Sequence, residues 1–377
     1  MTKSIKEMRP VYVVGIGLDR YQRKSERSYV EIGLTAIRSA LSDADISWKD
    51  IESFYLGTAL LGMAPGRAMI KHLGTTGIPI AQVENASASG STSFRQACID
   101  VACGLTDVSM AAGVDKPGPP LKGASAGRGR DLVGRGTAPV AHFALLANRY
   151  MAQSGITSEH LASVAVKNHR NGALNPFAQR QKERTMAEVL EPPFMAGPLT
   201  RLQCCPVGEG AAAVVVVSED AIARLNIDEG RLVKVMASVS ASEQLYPAGT
   251  DIDSALTKST VFKAYDQSGL SPEEVDVVEL HDAFSIEEIL YAEAMGLCGE
   301  GEAAELIASG AFDIGGRCAL SPSGGLLAMG HPIGPTGTGQ IVEVTRQLRG
   351  EAGARQQPDA KVGLAHMVGI GAVCLVH

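Results

Sequence analysis

The sequence predicts an α/β protein with mainly parallel sheets. Apolar strand-like runs alternate with helical patterns along the whole chain. The composition joins 42 glycines to only 5% aromatic residues, and small residues in that proportion let stacked layers approach closely, which suits α/β layering better than a β-sandwich. With 377 residues, 45% of them hydrophobic, there is material for a large core and for two or three domain-sized units.

The run Val11–Gly17 reads as a short buried strand. Val30, Leu34, Ile37 and Leu41 recur at helical spacing and form one apolar face. Further buried strands are expected at Val108–Val114, Ala213–Val217, Leu232–Val239, Val275–Leu280 and Val368–Val376, with helical patterns between most of them. From Lys116 to Thr137 the rhythm breaks into Gly, Pro and Arg without periodicity, and polar helical material follows. An insertion of this length, about 116–200, is expected to be a surface excursion with a function. A strand–helix–strand pattern restarts near Leu232, dividing the chain into halves at 1–230 and 231–377.

The net charge of −7 comes with no basic stripe and no stacking aromatics, which excludes nucleic-acid binding. The polar start of the chain lacks an apolar signal core, and no stretch of about 18 apolar residues marks a membrane span. Seven cysteines at irregular spacing, without a C-x-x-C pair, argue against zinc sites and disulfides and for a reducing cytoplasm. No metal and no permanently bound cofactor is expected.

Three glycine-framed motifs carry the chemistry. Val83-Glu-Asn-Ala-Ser87-Ala-Ser-Gly-Ser-Thr92 sets a small nucleophile at a turn into a helix, where free N–H groups favour an anionic nucleophile or an oxyanion, although serines at helix starts more often act as caps. Val277-Val-Glu-Leu-His281-Asp-Ala-Phe-Ser285 delivers an imidazole at the carboxyl end of a strand, where it serves as acid/base, as oxyanion donor or simply as a strand-end cap. Ser285 and Glu288 fit a capping box for the helix that follows. Gly324-Gly-Leu-Leu-Ala-Met-Gly330-His-Pro-Ile-Gly-Pro-Thr-Gly337 fixes an unusual backbone path around His331, and its spacing matches neither dinucleotide nor P-loop fingerprints.

Together these motifs resemble the thiolase superfamily, in particular its sterol-carrier-protein-X-type branch and archaeal relatives. The third motif is similar to the family's G-H-P-x-G-x-T-G loop, and His281-Asp-Ala-Phe284 to the H-D-C-F or H-D-A-F motif of that branch. Ser87-Ala-Ser-Gly-Ser91 matches the nucleophile motif C-A-S/T-G-S except at its first position, and Cys205-Pro-Val-Gly-Glu-Gly210 and Gly369-Ile-Gly371 add support. The resemblance implies two similar mixed-sheet halves in a five-layer α/β/α/β/α sandwich with an inserted loop domain. It also implies acyl-CoA thioesters as substrates, with C-acyl transfer or β-ketoacyl-CoA thiolysis in lipid metabolism as the reaction. A homodimer through the nucleophile half and a small OB-fold, zinc-ribbon partner protein follow from it too.

The resemblance makes Ser87 the nucleophile and His331 its activator, with His281 placed to orient a water in one oxyanion hole. The N–H groups of Ser87 and Gly369 would form a second hole, and His142 would line the pocket. Arg128, Arg130, Arg135, Lys167 and Arg170 are candidates for the CoA phosphates.

The thiols of the family's two-cysteine chemistry are both missing. Ser87 holds the first position, and the two places from which the second could come hold Ala283 and Met367. A thiol with a pKa near ~8.5 gives a thiolate readily, whereas a serine hydroxyl needs a general base during attack. An acyl-serine is also more stable than the thioester it comes from, so its return to CoA is slow. Three readings stay open: a thiolase with its nucleophile replaced, as in ligand-trapping variants; a retro-aldolase on a β-hydroxyacyl-CoA, with His281, His331 and Tyr246 shuttling protons; and a non-catalytic subunit of a complex.

Overall fold

The computed structural model describes residues 5–118, 139–369 and 373–377. The first half contains β1 (Tyr12–Gln22), α1 (Tyr29–Asp43), β2 (Ser53–Gly57), α2 (Pro65–Ile70), β3 (Ile80–Val83), α3 (Ser89–Ala102) and β4 (Val108–Asp115). An insertion follows, with α4 (Pro139–Ser154), α5 (Ser158–Ala173), α6 (Met186–Leu190) and the small hairpin β5 (Phe194–Ala196) and β6 (Leu199–Thr200). The first sheet is completed by β7 (Glu209–Val217) and β8 (Val233–Lys234), with α7 (Glu219–Leu225) between them.

The second half contains β9 (Val239–Ser242), α8 (Ile252–Ser268), β10 (Val277–Glu279), α9 (Ser285–Ala294), α10 (Ala303–Ala308) and β11 (Ala319–Leu320). It ends with α11 (Gly325–Ala328), α12 (Thr336–Leu348), β12 (Gly363–Gly369) and β13 (Val373–Val376).

Six strands pair in the order β3-β2-β4-β7-β1-β8 and five in the order β11-β10-β12-β13-β9. Both sheets are mixed, which corrects the expectation of mainly parallel pairing. β2 runs parallel to β3 and β4, and β10 parallel to β11 and β12, while β7 is antiparallel to β4 and β1, and β13 to β12 and β9. Strands covered on both faces read as continuous apolar runs in either direction, so strand polarity leaves no mark in the pattern. Two long runs also divide. Leu232–Val239 crosses from the first sheet (β8) to the second (β9), and Val368–Val376 turns back as the β12/β13 pair.

α3 and α12 pack on each other between the two sheets; α1 covers the outer face of the first sheet and α8 that of the second. One apolar core lies under α1, built on Ile32, Ile37, Phe54 and Val215. Another surrounds the central helices, with Tyr21, Phe94 and Val342. A third joins α8 and α9 to the insertion through Leu161, Val164, Ile286 and Tyr291. Cys98, Cys204, Cys318 and Cys374 are buried in these layers as small apolar groups. Among the described residues, no helix is long and apolar enough to cross a membrane.

Glycine lets the central layer close. A Cβ on Gly90 would lie 2.5 Å from the Gly334 carbonyl oxygen and 2.8 Å from the Thr338 nitrogen. One on Gly337 would lie 2.1 Å from Ser91 Oγ. The start of α3 and the loop before α12 touch backbone to backbone because neither position carries a side chain.

Candidate active site

Ser87 stands in the turn between β3 and α3. Ala86, directly before it, adopts a left-handed conformation with φ of 48°. Ser89 fixes that turn, accepting the Asn85 N–H at 2.8 Å and donating to the Ala86 carbonyl at 2.6 Å. The helix starts at Ser89, two residues after Ser87, which sets Ser87 at its positive end.

His331 arrives from the other half on the loop leading into α12. Gly330 has φ of 116° and Ile333 φ of 71°, the backbone cost of turning the imidazole inward. The loop is tied down by buried Asp115, which accepts the Gly334 N–H at 2.7 Å together with Ala59 and Leu60 N–H and Thr58 Oγ1. Ser87 Oγ lies 3.1 Å from His331 Nε2, and His331 Nδ1 lies 2.9 Å from Thr336 Oγ1. With Nδ1–H donating to Thr336, Nε2 is free to accept the serine proton. Burial, and then the neighbouring His281, push the His331 pKa well below 6.5, so the ring is a neutral base at physiological pH.

His281 follows the end of β10 by two residues and is buried, its ring perpendicular to that of His331 with centroids 5.4 Å apart. Its Nδ1 lies 2.8 Å from Glu287 Oε1, and its buried Nε2 has no hydrogen-bond partner among the described residues. Below it lies His366 of β12: His366 Nδ1 accepts the His281 backbone N–H at 3.4 Å, and Nε2 meets Thr257 Oγ1 at 3.1 Å. Burial, followed by His281, pushes the His366 pKa down to about 3. Asp282, next in the motif, accepts Leu326 N–H and Asn168 Nδ2, both at 2.6 Å, and so fastens the strand end to α11 and α5.

Gly369 closes β12 opposite Val373. Buried Met367 of that strand packs with Ala88 and Leu375, which brings β12 against the residue after Ser87. His142, in the first turn of α4, bonds Asp253 Oδ2 through Nε2 at 2.7 Å. Its neighbour Phe143 stacks on Phe284 at 4.8 Å, so His142 joins the wall of the His281 motif without bonding to either central histidine. The Tyr246 hydroxyl is buried and has no hydrogen-bond partner among the described residues.

The phosphate candidates fare differently. Lys167 is a correction: it is 3% exposed, ion-paired to Glu288 at 3.1 Å, and donates to Asn168 Oδ1 at 2.6 Å and the Leu320 carbonyl at 2.7 Å. An ammonium held by three internal partners cannot reach a surface phosphate. Glu288 is thereby taken from the expected cap with Ser285, and Glu287 caps α9 instead by accepting the Phe284 N–H at 2.8 Å. Arg170 pairs with Asp313 at 2.7 Å at the end of α5 and keeps its guanidinium partly exposed. Arg128, Arg130 and Arg135 lie outside the described residues.

Glu287, Thr336 and His366 were not legible as site residues. Thr336 sits inside the G-P-T-G segment, and Glu287 lies six residues after His281; both become partners only once the loop path and the start of α9 are known.

The family model described as the thiolase N-terminal domain matches residues 19–220, and the one described as thiolase C-terminal domain-like matches residues 239–374. The benzoylsuccinyl-CoA thiolase subunit BbsB of Thauera aromatica is 36% identical, over 97% of this chain and 96% of its own. Acetyl-CoA acetyltransferase of Methanothermobacter thermautotrophicus is 35% identical, over 98% and 99%. Human sterol carrier protein 2 is 35% identical, over 98% of this chain and 71% of its own. Among solved structures, an Ltp2-ChsH2(DUF35) aldolase superposes with a TM-score of 0.81 at 25% identity, over 97% of both chains. Human mitochondrial 3-ketoacyl-CoA thiolase in complex with CoA gives 0.73 at 17% identity, over 100% of this chain and 98% of its own, a likeness of fold alone. With both family domains matched in order over the two halves, the chain belongs to the thiolase family.

Proposed function

We propose that this protein forms or cleaves a carbon–carbon bond in acyl-CoA substrates by thiolase-type acyl transfer, with Ser87 as acyl acceptor. The observation that carries the reading is the Ser87 Oγ–His331 Nε2 contact of 3.1 Å, with His331 oriented through Nδ1 by Thr336. His331 takes the hydroxyl proton as Oγ attacks the thioester carbonyl, and returns it to the departing group. The backbone N–H groups of Ser87 and Gly369 would receive the carbonyl oxygen of the acyl-enzyme, with His142 on the pocket wall. Arg170 and the arginines 128, 130 and 135 remain candidates for the CoA phosphates. The test is intact-mass spectrometry after incubation with short-chain acyl-CoAs. An adduct on Ser87, absent in Ser87→Ala and His331→Ala, supports acyl transfer; full CoA binding with no adduct overturns it.

A second reading, retro-aldol cleavage of a β-hydroxyacyl-CoA, is favoured by Ala283 and Met367 at the second thiol positions and by the likeness to the aldolase structure. Tyr246, with its unpartnered hydroxyl, would then join His281 and His331 in moving protons. Release of an aldehyde or ketone without a Ser87 adduct would select it. Loss of both activities in the intact protein would leave the role of a non-catalytic subunit.

The division expected at 1–230 and 231–377, drawn between β8 and β9 because β8 pairs with β1, a cytoplasmic location and a homodimer through the nucleophile half belong to the same proposal. β3, at the rim of its sheet, supports the dimer: one edge is unpaired, and Ile80, Leu60 and Met63 nearby are exposed. A small OB-fold, zinc-ribbon partner is proposed from the branch resemblance and from relatives named as a thiolase subunit and as a two-component aldolase.

A further inference from the structure

The site lacks a second thiol, yet it holds a buried carboxylate that the acyl-transfer step does not use. We propose that Glu287 is a positioning residue that makes His281 the base for the substrate's α-proton. This rests on the site taking CoA thioesters, and it gives His281 a task other than orienting a water.

The Glu287 side chain is fully buried and surrounded by donors: His281 Nδ1 at 2.8 Å, Phe284 N–H at 2.8 Å and Tyr291 Oη at 3.2 Å. A carboxylate accepts all three, and by accepting from Nδ1–H it fixes the tautomer of a neutral His281. The bare lone pair then lies on Nε2, the nitrogen that is buried and has no partner among the described residues. Nε2 in that state cannot donate to an oxyanion, but it can accept a proton. His331 is committed on both nitrogens, to Ser87 and Thr336, so His281 is the imidazole beside it with a free acceptor.

The step balances without any co-reactant. Nε2 takes the α-proton, the C–H electron pair becomes the enolate with its charge on the thioester oxygen, and the imidazolium is matched by the Glu287 carboxylate. Reversal returns the proton to carbon. The groups around His281 and its carboxylate are Glu287 and Tyr291 on α9, His331 on the loop before α12, His366 on β12, its chain neighbour Asp282, Cys205, whose N–H donates to the Ala283 carbonyl at 2.8 Å, and the His142–Asp253 pair. Of these, His366 is held neutral by burial, which leaves Glu287 as the hydrogen-bonded counter-charge.

A purely structural Glu287 would only cap α9, and one substitution separates the two roles. In Glu287→Gln the amide oxygen still accepts the Phe284 N–H, while the amide nitrogen donates to His281 Nδ1 and moves the ring proton onto Nε2. The experiment is exchange of the α-hydrogens of butyryl-CoA in D2O, followed by mass spectrometry. CoA affinity and thermal unfolding serve as controls of the fold. Wild type is expected to exchange. Glu287→Gln should lose about 10–100-fold or more, as carboxylates behind catalytic histidines do, and Glu287→Asp should recover part of the rate. The acid limb of the pH–rate profile should move to lower pH in Glu287→Asp, whose shorter side chain holds the carboxylate farther from the ring.

A folded Glu287→Gln exchanging at the wild-type rate overturns the proposal, and so does a wild type that binds butyryl-CoA without exchange. Should the Gln variant fail to fold, a Glu287→Asp variant with unchanged rate and profile overturns it. Exchange without any Ser87 adduct would sink the acyl-transfer reading and leave this proposal standing.

Discussion

Adding one methyl group at Gly90 should separate the nucleophile from its base. The new Cβ would meet the Gly334 carbonyl oxygen at 2.5 Å, where ordinary contact begins near 3.4 Å. That oxygen and the Thr338 nitrogen at 2.8 Å are backbone, so turning Thr338 Oγ1 away, also at 2.8 Å, gives no relief, and α3 or the His331 loop must retreat by about 0.9 Å, the difference of the two distances to the carbonyl oxygen. Carried to the site, a shift of that size would stretch the Ser87–His331 contact from 3.1 Å to about 4 Å, beyond hydrogen-bond length. Misplacement on the order of 1 Å costs roughly 100-fold in rate, and overpacking of this kind about 1–3 kcal/mol in stability. The assay is the rate of Ser87 acylation by a short acyl-CoA, read by quenched-flow mass spectrometry, beside urea unfolding of the same variant. A Gly90→Ala protein that acylates as fast as wild type would refute the reasoning, because it would show that the central helices are not held at this spacing.

Other consequences are as direct. Ser87→Cys should acylate faster and release its acyl group to added CoA, which the serine ester resists; equal reversibility in both proteins, read by exchange of labelled CoA, would contradict the thioester argument. Lys167→Met strands buried Glu288 and should cost about 3–5 kcal/mol in urea unfolding, whereas Arg170→Ala, which removes a partly exposed pair, should cost less than about 1 kcal/mol. The His142 pKa is raised, chiefly by its hydrogen bond to Asp253. The stability from that pair is therefore complete below about 6.5, the unfolded value, and fades as pH rises through the folded one; Asp253→Asn should remove this slope from pH-dependent unfolding. Because the His331 pKa lies well below 6.5, acylation should hold its plateau on the acid side of pH 6.5, and a rate halved at pH 6.5 would contradict the burial of that ring.

The layers of this fold were legible because periodicity and glycine spacing are local properties. α1 follows its apolar face, with Leu34, Ile37 and Leu41 all buried, and Ser87 and His331 were singled out by short motifs that do come together. What escaped depends on distant partners. Lys167 sits in a polar helix that reads as solvated, and only Glu288, 121 positions later in the chain, turns it inward. The run Leu232–Val239 contains no Gly, Pro, Asn or Asp, so little in it marks its passage between sheets. Glu287 and Glu288 are adjacent acids at a helix start with opposite fates, one on the His281 imidazole and one on Lys167, and only the pitch of α9 tells them apart.

Ser87 and His331 lie 244 positions apart, one in each half. During synthesis the serine turn leaves the ribosome long before His331 exists, so under the proposed acyl transfer a nascent or truncated chain would be silent toward thioesters. Two fragments separated between β8 and β9 would each carry one member of the pair. Acylation of Ser87 by a mixture of the fragments would therefore report, molecule by molecule, that the halves had found each other.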